Sequence, residues 1–134
     1  QWIDSKVKKY NLIMKKSPFL IKNSFLKNSV GFVIKDNYPV NKGHSLVIPI
    51  KKVRSIFDLK KNEYLKLFEL VIKTRDYLKK NYSPKGFNIG INDGKVAGQT
   101  VQHAHIHVIP RYRGDHKDPR GGIRAVIPRK KNYF

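Results

Sequence analysis

The sequence contains no cysteine among its 134 residues. This absence excludes disulfides, thiolate metal ligands and cysteine nucleophiles, so an intracellular, cytoplasmic setting is the simplest interpretation. No apolar run approaches the roughly 20 residues that span a bilayer, and no membrane association is expected. A chain of this length can bury one core, and we expect one domain.

Acidic residues are also scarce. Nine Asp and Glu residues stand against 29 Lys and Arg residues, which gives a formal net charge of +20. A surplus of this size attracts polyanions, so nucleic acid is a candidate partner. The lysines are scattered rather than concentrated in one helix or arm, which favours a general lysine excess. In either case the charge would attract a phosphorylated ligand.

The first half of the chain predicts a short lead-in and a set of strands. Residues 1–16 show no clear period and are predicted to form an irregular or short helical lead-in, with the domain proper at 17–134. Short apolar runs at 19–21 and 25–26 precede "GFVIK" at 31–35, which favours an N-terminal hairpin or meander. Turn residues then lead into a buried strand, "HSLVIPI".

The second half predicts the principal helix and further strands. Apolar residues recur at three- and four-residue steps over 58–80, which predicts a helix, and "GFNIGIN" at 86–92 alternates like a half-buried strand. Neighbouring strands with short connections pair antiparallel. The predicted fold is therefore α+β, with a mainly antiparallel sheet and one principal helix. The residues after Pro110 hold five of the seven arginines and predict an extended, basic surface tail.

Three of the five histidines lie two residues apart in "HAHIH", residues 103–107. Successive side chains of a strand point to opposite faces, so His103, His105 and His107 would share one face while the residues between them face the core. In a helix the same spacing would rotate successive rings by about 200° and separate them. The pattern therefore predicts a strand that presents a cluster of imidazoles.

Two interpretations of this cluster require no catalysis. Solvated or hydrogen-bonded histidines would be purely structural, although like groups stacked on one face repel each other once protonated. Alternating histidines also supply imidazoles to zinc, with a carboxylate or another histidine completing the site. No acid lies within the motif, and the nearest ones in the sequence are Asp93 and Asp115. Both interpretations stay open at this point.

A third interpretation is nucleophilic catalysis on phosphorus. One neutral imidazole attacks, and its neighbours orient it and handle the proton of the leaving group. Just before the histidines, Gly98, Gln99 and Thr100 offer backbone N–H groups, an amide and a hydroxyl that suit phosphate oxygens. This combination favours a phosphate substrate.

The stretch "HAHIHVI" resembles the signature of the histidine triad (HIT) family of nucleotide hydrolases and nucleotidyl transferases, His-x-His-x-His followed by two apolar residues. Two upstream stretches, "NDGKVAGQTVQ" and "YPVNKGHSLVIPIKKV", also resemble the family. "GDHKDPRGGIRAVIP" is similar to the tail of bacterial members often described as diadenosine tetraphosphate hydrolase-like. The resemblance covers residues 31–128 and implies a HIT-like fold.

The resemblance implies cleavage at the α-phosphate of a (di)nucleoside polyphosphate or nucleoside phosphoramidate. His105 would be the nucleophile that becomes nucleotidylated, its other ring nitrogen held by a backbone carbonyl near His103, so that His103 would be a supporting member of the catalytic set. His107 would help to donate a proton to the leaving oxygen. The residues that the resemblance assigns to substrate binding are Asp36, His44, Asn92, Gly98, Gln99 and Thr100, with the apolar residues around Phe32 and Ile34 flanking the base.

Further implications concern partners and metals. The substrate would contain adenine, the family habit of pairing sheets suggests a homodimer, and no cofactor is implied. Several bacterial members carry a Cys-x-x-Cys pair that helps to hold zinc, whereas this chain has Ser17 and Leu20 there, so no metal is expected. His107 replaces the Gln of the galactose-1-phosphate uridylyltransferase branch, which favours hydrolysis over sugar transfer. The alternative is a nucleotide- or nucleic-acid-binding module with weak or no catalysis.

Overall fold

The structure is a computed structural model that describes residues 17–134. The predicted lead-in at 1–16 lies outside the described residues. Five strands form one sheet in the order β1-β2-β3-β5-β4, and every neighbouring pair is antiparallel. The elements are β1 (Leu26–Lys27), β2 (Gly31–Lys35), β3 (Ser45–Pro49), the helix α1 (Lys61–Tyr82), β4 (Gly86–Ile91) and β5 (Ile106–Arg111). The α+β prediction, with its antiparallel sheet and one principal helix, is confirmed.

The boundaries of α1 have local causes. At its start the carboxylate of Glu63 accepts a hydrogen bond from the backbone N–H of Lys60 (3.0 Å), which satisfies one of the free amides there. At its end Ser83 adopts a left-handed conformation (φ 51°), and Pro84 cannot continue the helix. Residues buried along one side, Leu67, Leu70, Val71, Thr74 and Leu78, pack against the sheet.

The two faces of the sheet are covered differently. The helix face, which packs against α1, carries Val33, Val47, Ile106 and Val108, all buried. We call the opposite side the open face; it carries a smaller apolar cluster of Phe32, Ile34, Leu46 and Ile48, against which Phe19 packs. Among the described residues, no helix has the length and hydropathy required of a membrane span.

The histidine segment departs from the predicted strand. β5 begins at Ile106, so residues 103–105 precede it. The backbone N–H of Ala104 donates to the carbonyl of Val53 (2.8 Å), and the ring of His103 bonds to the carbonyl of Pro49 (2.7 Å). The last residue of β3 and the loop after it therefore hold this segment in place of a strand ladder. The prediction that Ala104, Ile106 and Val108 face the core is confirmed, since all three are buried in the helix-face cluster.

The C-terminal tail also differs in part from its prediction. It is exposed, but it forms two short 3-10 turns, Gly122–Val126 and Pro128–Lys130, and is not extended. The guanidinium of Arg124 donates to the backbone carbonyls of Lys130 and Lys131 (2.9 and 3.4 Å). These bonds fold the tail back on itself.

Candidate active site

A cavity of about 440 Å³ lies on the open face and gathers most of the predicted site residues. Two of the three clustered histidines line it, His105 and His107. The other predicted residues that line it are Asp36, His44, Asn92, Gly98, Thr100 and Ile34, together with Phe19 and Val40. Three predicted residues are absent from its wall, His103, Gln99 and Phe32, and all three are buried.

A single proton on the ring of His105 has a defined position. Its Nδ1 lies 2.8 Å from the backbone carbonyl of His103, and because a carbonyl oxygen only accepts, Nδ1 carries the proton. Nε2 therefore keeps its lone pair. The ring of Phe19 meets the imidazole edge to face, with 5.0 Å between centroids. This arrangement fits the expectation of a backbone carbonyl near His103 and leaves His105 with an unprotonated nitrogen.

His103 occupies a different environment although it shares the two-residue spacing. Its Nε2 donates to the carbonyl of Pro49 (2.7 Å), and its Nδ1 accepts from the hydroxyl of Ser17 (2.6 Å). Burial is the main cause that lowers the pKa of this ring. With both nitrogens bonded, the ring stays beneath the cavity. The expectation that three imidazoles share one exposed strand face is therefore wrong for His103.

His44 and His107 form a hydrogen-bonded pair with the opposite tautomer. The backbone N–H of Val40 donates to His44 Nδ1 (3.0 Å), so that nitrogen holds a lone pair and the neutral ring carries its proton on Nε2. His44 Nε2 lies 2.9 Å from His107 Nδ1, which accepts, so His107 carries its own proton on Nε2. The rings of His105 and His107, 5.1 Å apart, thus offer one free lone pair and one N–H.

Burial keeps the rings of His44 and His107 neutral. The pKa of His107 is lowered to about 4, mainly by burial; the nearby His105 and His44 act in the same direction and the carboxylate of Asp36 in the opposite one. Burial also lowers the pKa of His44, although the carboxylate of Asp36, 3.5 Å from His44 Nε2, acts in the opposite direction. Near neutral pH both rings are uncharged, which is the state that the tautomers above require.

A cation site was one of the open interpretations. Among residues 17–134, donor atoms of Asp36, His44 and His107 lie within 4.8 Å of one another, close enough to bind one ion. While Val40 bonds to His44 Nδ1, however, Nε2 of His44 carries a proton and has no lone pair for a metal. The three clustered histidines do not converge either, because both nitrogens of His103 are occupied. The geometry gives zinc little support.

Gln99 was expected to contact phosphate, but the structure places its side chain elsewhere. It is 4% exposed, and its amide donates to the carbonyls of Arg54 (2.9 Å) and Val101 (3.0 Å). Its carbonyl oxygen accepts from the backbone N–H of Gly94 (2.9 Å) and from the guanidinium of Arg54 (3.1 Å). Because every polar atom of the side chain is engaged, Gln99 stabilises the turn and does not reach the cavity.

The neighbours of Gln99 do reach it. Gly98 has a left-handed φ of 92°, which favours glycine and turns the chain so that Thr100 lines the cavity. Asn92, just after β4, lines the same wall. At the mouth, the carboxylate of Asp36 accepts from the backbone N–H of Tyr38 (2.8 Å), which fixes its orientation. The side chains of Thr100 and Asn92 therefore supply hydrogen-bond donors to the cavity that His105 lines.

Three residues contribute to the site in ways that the sequence did not predict. Val40 acts through its backbone N–H, for which no side-chain pattern exists. Arg54 pairs with Gln99 and with Asp93 (3.3 Å) across a distance of about 40 residues in the chain, which no local spacing reveals. Ser17 was considered only as a replacement for a cysteine ligand, whereas it bonds to His103.

Comparison with known proteins identifies similar sequences. A family model described as HIT domain matches residues 21–114. A bis(5'-nucleosyl)-tetraphosphatase from Schizosaccharomyces pombe is 46% identical over 77 residues, which are 58% of this chain and 42% of that protein. A bis(5'-adenosyl)-triphosphatase from Dictyostelium discoideum is 37% identical over 100 residues, 73% of this chain and 67% of that protein. The chain thus spans less than half of the first relative's length.

Solved structures give the same match. A HIT family protein from Bacillus anthracis superposes with a TM-score of 0.66 at 36% identity, covering 72% of this chain and 68% of that one. The NitFhit protein of Caenorhabditis elegans reaches a TM-score of 0.70 at 36% identity, covering 82% of this chain and 27% of its own. Sequence and fold agree on the family.

Proposed function

Because the chain belongs to the HIT domain family, we propose that it hydrolyses a nucleotide at the α-phosphate through a nucleotidyl-histidine intermediate. The observation that carries the proposal is the pair of opposite tautomers at one cavity wall, a free lone pair on His105 beside an N–H on His107. The two relatives named as hydrolases of dinucleoside polyphosphates support a (di)nucleoside polyphosphate as the substrate.

In the first step, His105 Nε2 attacks the α-phosphorus and a nitrogen–phosphorus bond forms. The bond from phosphorus to the leaving atom breaks, and its electron pair departs with that atom, which accepts a hydrogen bond from His107 Nε2–H. His105 becomes positively charged, and the carbonyl of His103, 2.8 Å from Nδ1, stabilises that charge. The hydroxyl and backbone N–H of Thr100, which lines the cavity, bind the other phosphate oxygens, whereas the N–H of Gly98 donates to the carbonyl of Lys95 (3.0 Å).

In the second step, water attacks the same phosphorus and the bond to His105 breaks. The electron pair returns to Nε2, so the ring regains its neutral tautomer, and the surplus proton of the water passes to the solvent. The products are a nucleoside monophosphate and the leaving group released earlier. The site needs no cofactor for either step.

The rest of the cavity binds the nucleoside. The carboxylate of Asp36 at the mouth suits the hydroxyls of a ribose, and Phe19 and Ile34 provide an apolar wall for the base. Asn92 and His44 also line this cavity. The base is adenine, as the names of the relatives suggest.

The direct test is a brief incubation with diadenosine tetraphosphate, an acid quench and mass spectrometry. We expect a nucleoside monophosphate adduct on His105, and we expect His105→Ala to lower kcat/KM by at least about 10³-fold. His116→Ala is a matched control, since His116 is an exposed histidine outside this cavity. Turnover that survives His105→Ala would contradict the proposal. Salt-sensitive oligonucleotide binding without turnover, unaffected by His105→Ala, would favour the alternative of a binding module.

The protein acts as a homodimer in the cytoplasm. β4 is an edge strand of the sheet, and α1 exposes an apolar stripe of Leu65, Phe68 and Ile72, which are 50%, 42% and 61% exposed. An edge strand and an apolar stripe together suit a two-fold interface that joins two sheets. We expect light scattering to give the mass of a dimer and Phe68→Glu to give a monomer. A wild-type monomer at micromolar concentration would contradict the dimer.

A further inference from the structure

The hydrogen bond from Val40 to His44 limits what His107 can do in the reaction. Val40 N–H faces His44 Nδ1 at 3.0 Å, so a proton on that nitrogen would point at another proton. The remaining proton of His44 must therefore lie on Nε2. Two acceptors face it there, His107 Nδ1 at 2.9 Å and the carboxylate of Asp36 at 3.5 Å. One backbone amide thus fixes the tautomer of the whole pair.

The fixed tautomer of His44 disfavours a second proton on His107. A doubly protonated His107 would place an N–H at Nδ1, directly against the N–H of His44, and the hydrogen bond between the two rings would be lost. His44 cannot relieve the conflict by moving its proton to Nδ1, since Val40 occupies that side. The groups that face the pair are His105, which opposes a positive charge, and Asp36, which favours one. Within this arrangement His107 stays neutral.

A neutral imidazole donates a hydrogen bond well but gives up its proton poorly, because losing it leaves an anionic ring. His44 cannot supply a replacement proton to Nδ1 of His107 either, since it would become anionic in turn. The leaving atom therefore receives a hydrogen bond and keeps the negative charge of the broken bond. This suits a phosphate oxygen, which is stable as an anion, and does not suit an amine nitrogen, which must be protonated as it leaves.

We propose that the backbone N–H of Val40 acts as a tautomer lock, which makes His107 a hydrogen-bond donor in place of a proton donor and restricts the site to leaving groups that depart as anions. The inference rests on the proposed function and narrows it, because it selects nucleoside polyphosphates over nucleoside phosphoramidates. Val40 and His44 are positioning residues in this account, since they act on the leaving group only through His107.

The test uses adenosine 5'-phosphate aryl esters whose phenol leaving groups differ in pKa. The value of kcat/KM reports the first irreversible step, the transfer to His105, whatever limits kcat. For the wild-type protein we expect kcat/KM to fall about tenfold for each one to two units of phenol pKa, because no proton transfer offsets the developing charge. Adenosine phosphoramidates of alkyl amines should react at least about 10²-fold more slowly than diadenosine tetraphosphate.

The matched variants are Val40→Pro, which removes the N–H, and Val40→Ala, which keeps it. Without the N–H, His44 can carry its proton on Nδ1 and accept from a protonated His107, so we expect Val40→Pro to flatten the dependence on phenol pKa and Val40→Ala to preserve it. The Val40 side chain is 65% exposed and lines the cavity, so Val40→Ala controls for the change of side chain and the difference between the two variants reports the backbone donor. Equal slopes in a folded Val40→Pro variant and in Val40→Ala would overturn the lock.

A direct measurement keeps the proposal testable even where Val40→Pro fails to fold. Nitrogen-15 NMR of the histidine rings in the wild-type protein should show His44 and His107 protonated on Nε2 and His105 protonated on Nδ1. The inference would be overturned by a proton on His44 Nδ1, or by a wild-type kcat/KM that does not depend on the phenol pKa. The proposed function would still stand in that case, provided that ester hydrolysis depends on His105. Absence of any such hydrolysis would overturn both.

Discussion

The side chains on the two faces of the sheet are held by different interactions. On the helix face, the side chains of Val33, Val47 and Val108 are fully buried in an apolar cluster with Leu67. On the open face, each buried polar group has a particular partner in a particular direction. Apolar packing accepts many side chains of similar volume, whereas a hydrogen bond requires a donor opposite an acceptor. Packing on the helix face therefore stabilises the fold, and hydrogen bonds on the open face orient the side chains of the site.

The largest expected effect tests the helix face. Leu67 is fully buried, and its Cδ1 would lie 2.6 Å from a Cβ placed on Gly31, which shows how closely helix and sheet approach. Leu67→Ala should lower the free energy of unfolding by about 2 to 5 kcal/mol through lost burial and the cavity left behind. Urea denaturation followed by circular dichroism measures it. kcat/KM at a temperature where the variant is folded should stay within about threefold of wild type.

A control for this variant is Val96→Ala, since the Val96 side chain is fully exposed, and we expect a change below about 0.5 kcal/mol. A large loss of activity in folded Leu67→Ala would show that the two faces are coupled more tightly than their separate packing suggests.

A prediction of intermediate size tests whether Gln99 stabilises the turn or binds phosphate. Gln99→Leu removes two donors and one acceptor from the turn and leaves the carbonyls of Arg54 and Val101 unpaired. We expect the free energy of unfolding to fall by about 1 to 3 kcal/mol, and kcat/KM to fall less than about tenfold. Thermal denaturation and steady-state kinetics on the same sample separate the two. A loss of kcat/KM by 10²-fold or more at unchanged stability would assign Gln99 to phosphate after all.

The smallest expected effect is the change of the free energy of unfolding with pH, which tests whether His107 on the open face is neutral. In the unfolded chain histidine has a pKa near 6.5, while in the fold burial lowers the pKa of His107 to about 4. Between these values the unfolded state binds more protons, so stability rises with pH and falls as the solution is acidified. We expect the free energy of unfolding to drop by about 1 to 2 kcal/mol from pH 7 to pH 5, measured by urea denaturation.

His107→Gln should reduce this dependence on pH, whereas Leu67→Ala should retain it, because the helix face holds no titratable group that changes in this range among the residues described in its cluster. A pH dependence equal in both variants would place its origin elsewhere in the protein.

Much of the fold followed from short-range pattern. The helix predicted at 58–80 is observed at Lys61–Tyr82, and the predicted strands at 31–35 and 86–92 are observed at Gly31–Lys35 and Gly86–Ile91. In each of these elements the apolar residues recur with the period of a helix or a strand, so the buried side can be identified from the local sequence. The tail after Pro110 has no such period, and its turns depend on bonds between Arg124 and carbonyls six and seven residues away, so its shape was predicted only in part.

The sequence by itself determined that His105 and His107 lie on one side of a segment whose intervening residues enter the core, because alternation is a local property of extended backbone. Only the tertiary structure decided what each ring does. His103 bonds to residues 54 and 86 positions away, and His107 bonds to a residue 63 positions away, whose own tautomer a backbone amide selects. A proton's place on an imidazole depends on the partner that faces it, and the fold alone brings that partner there.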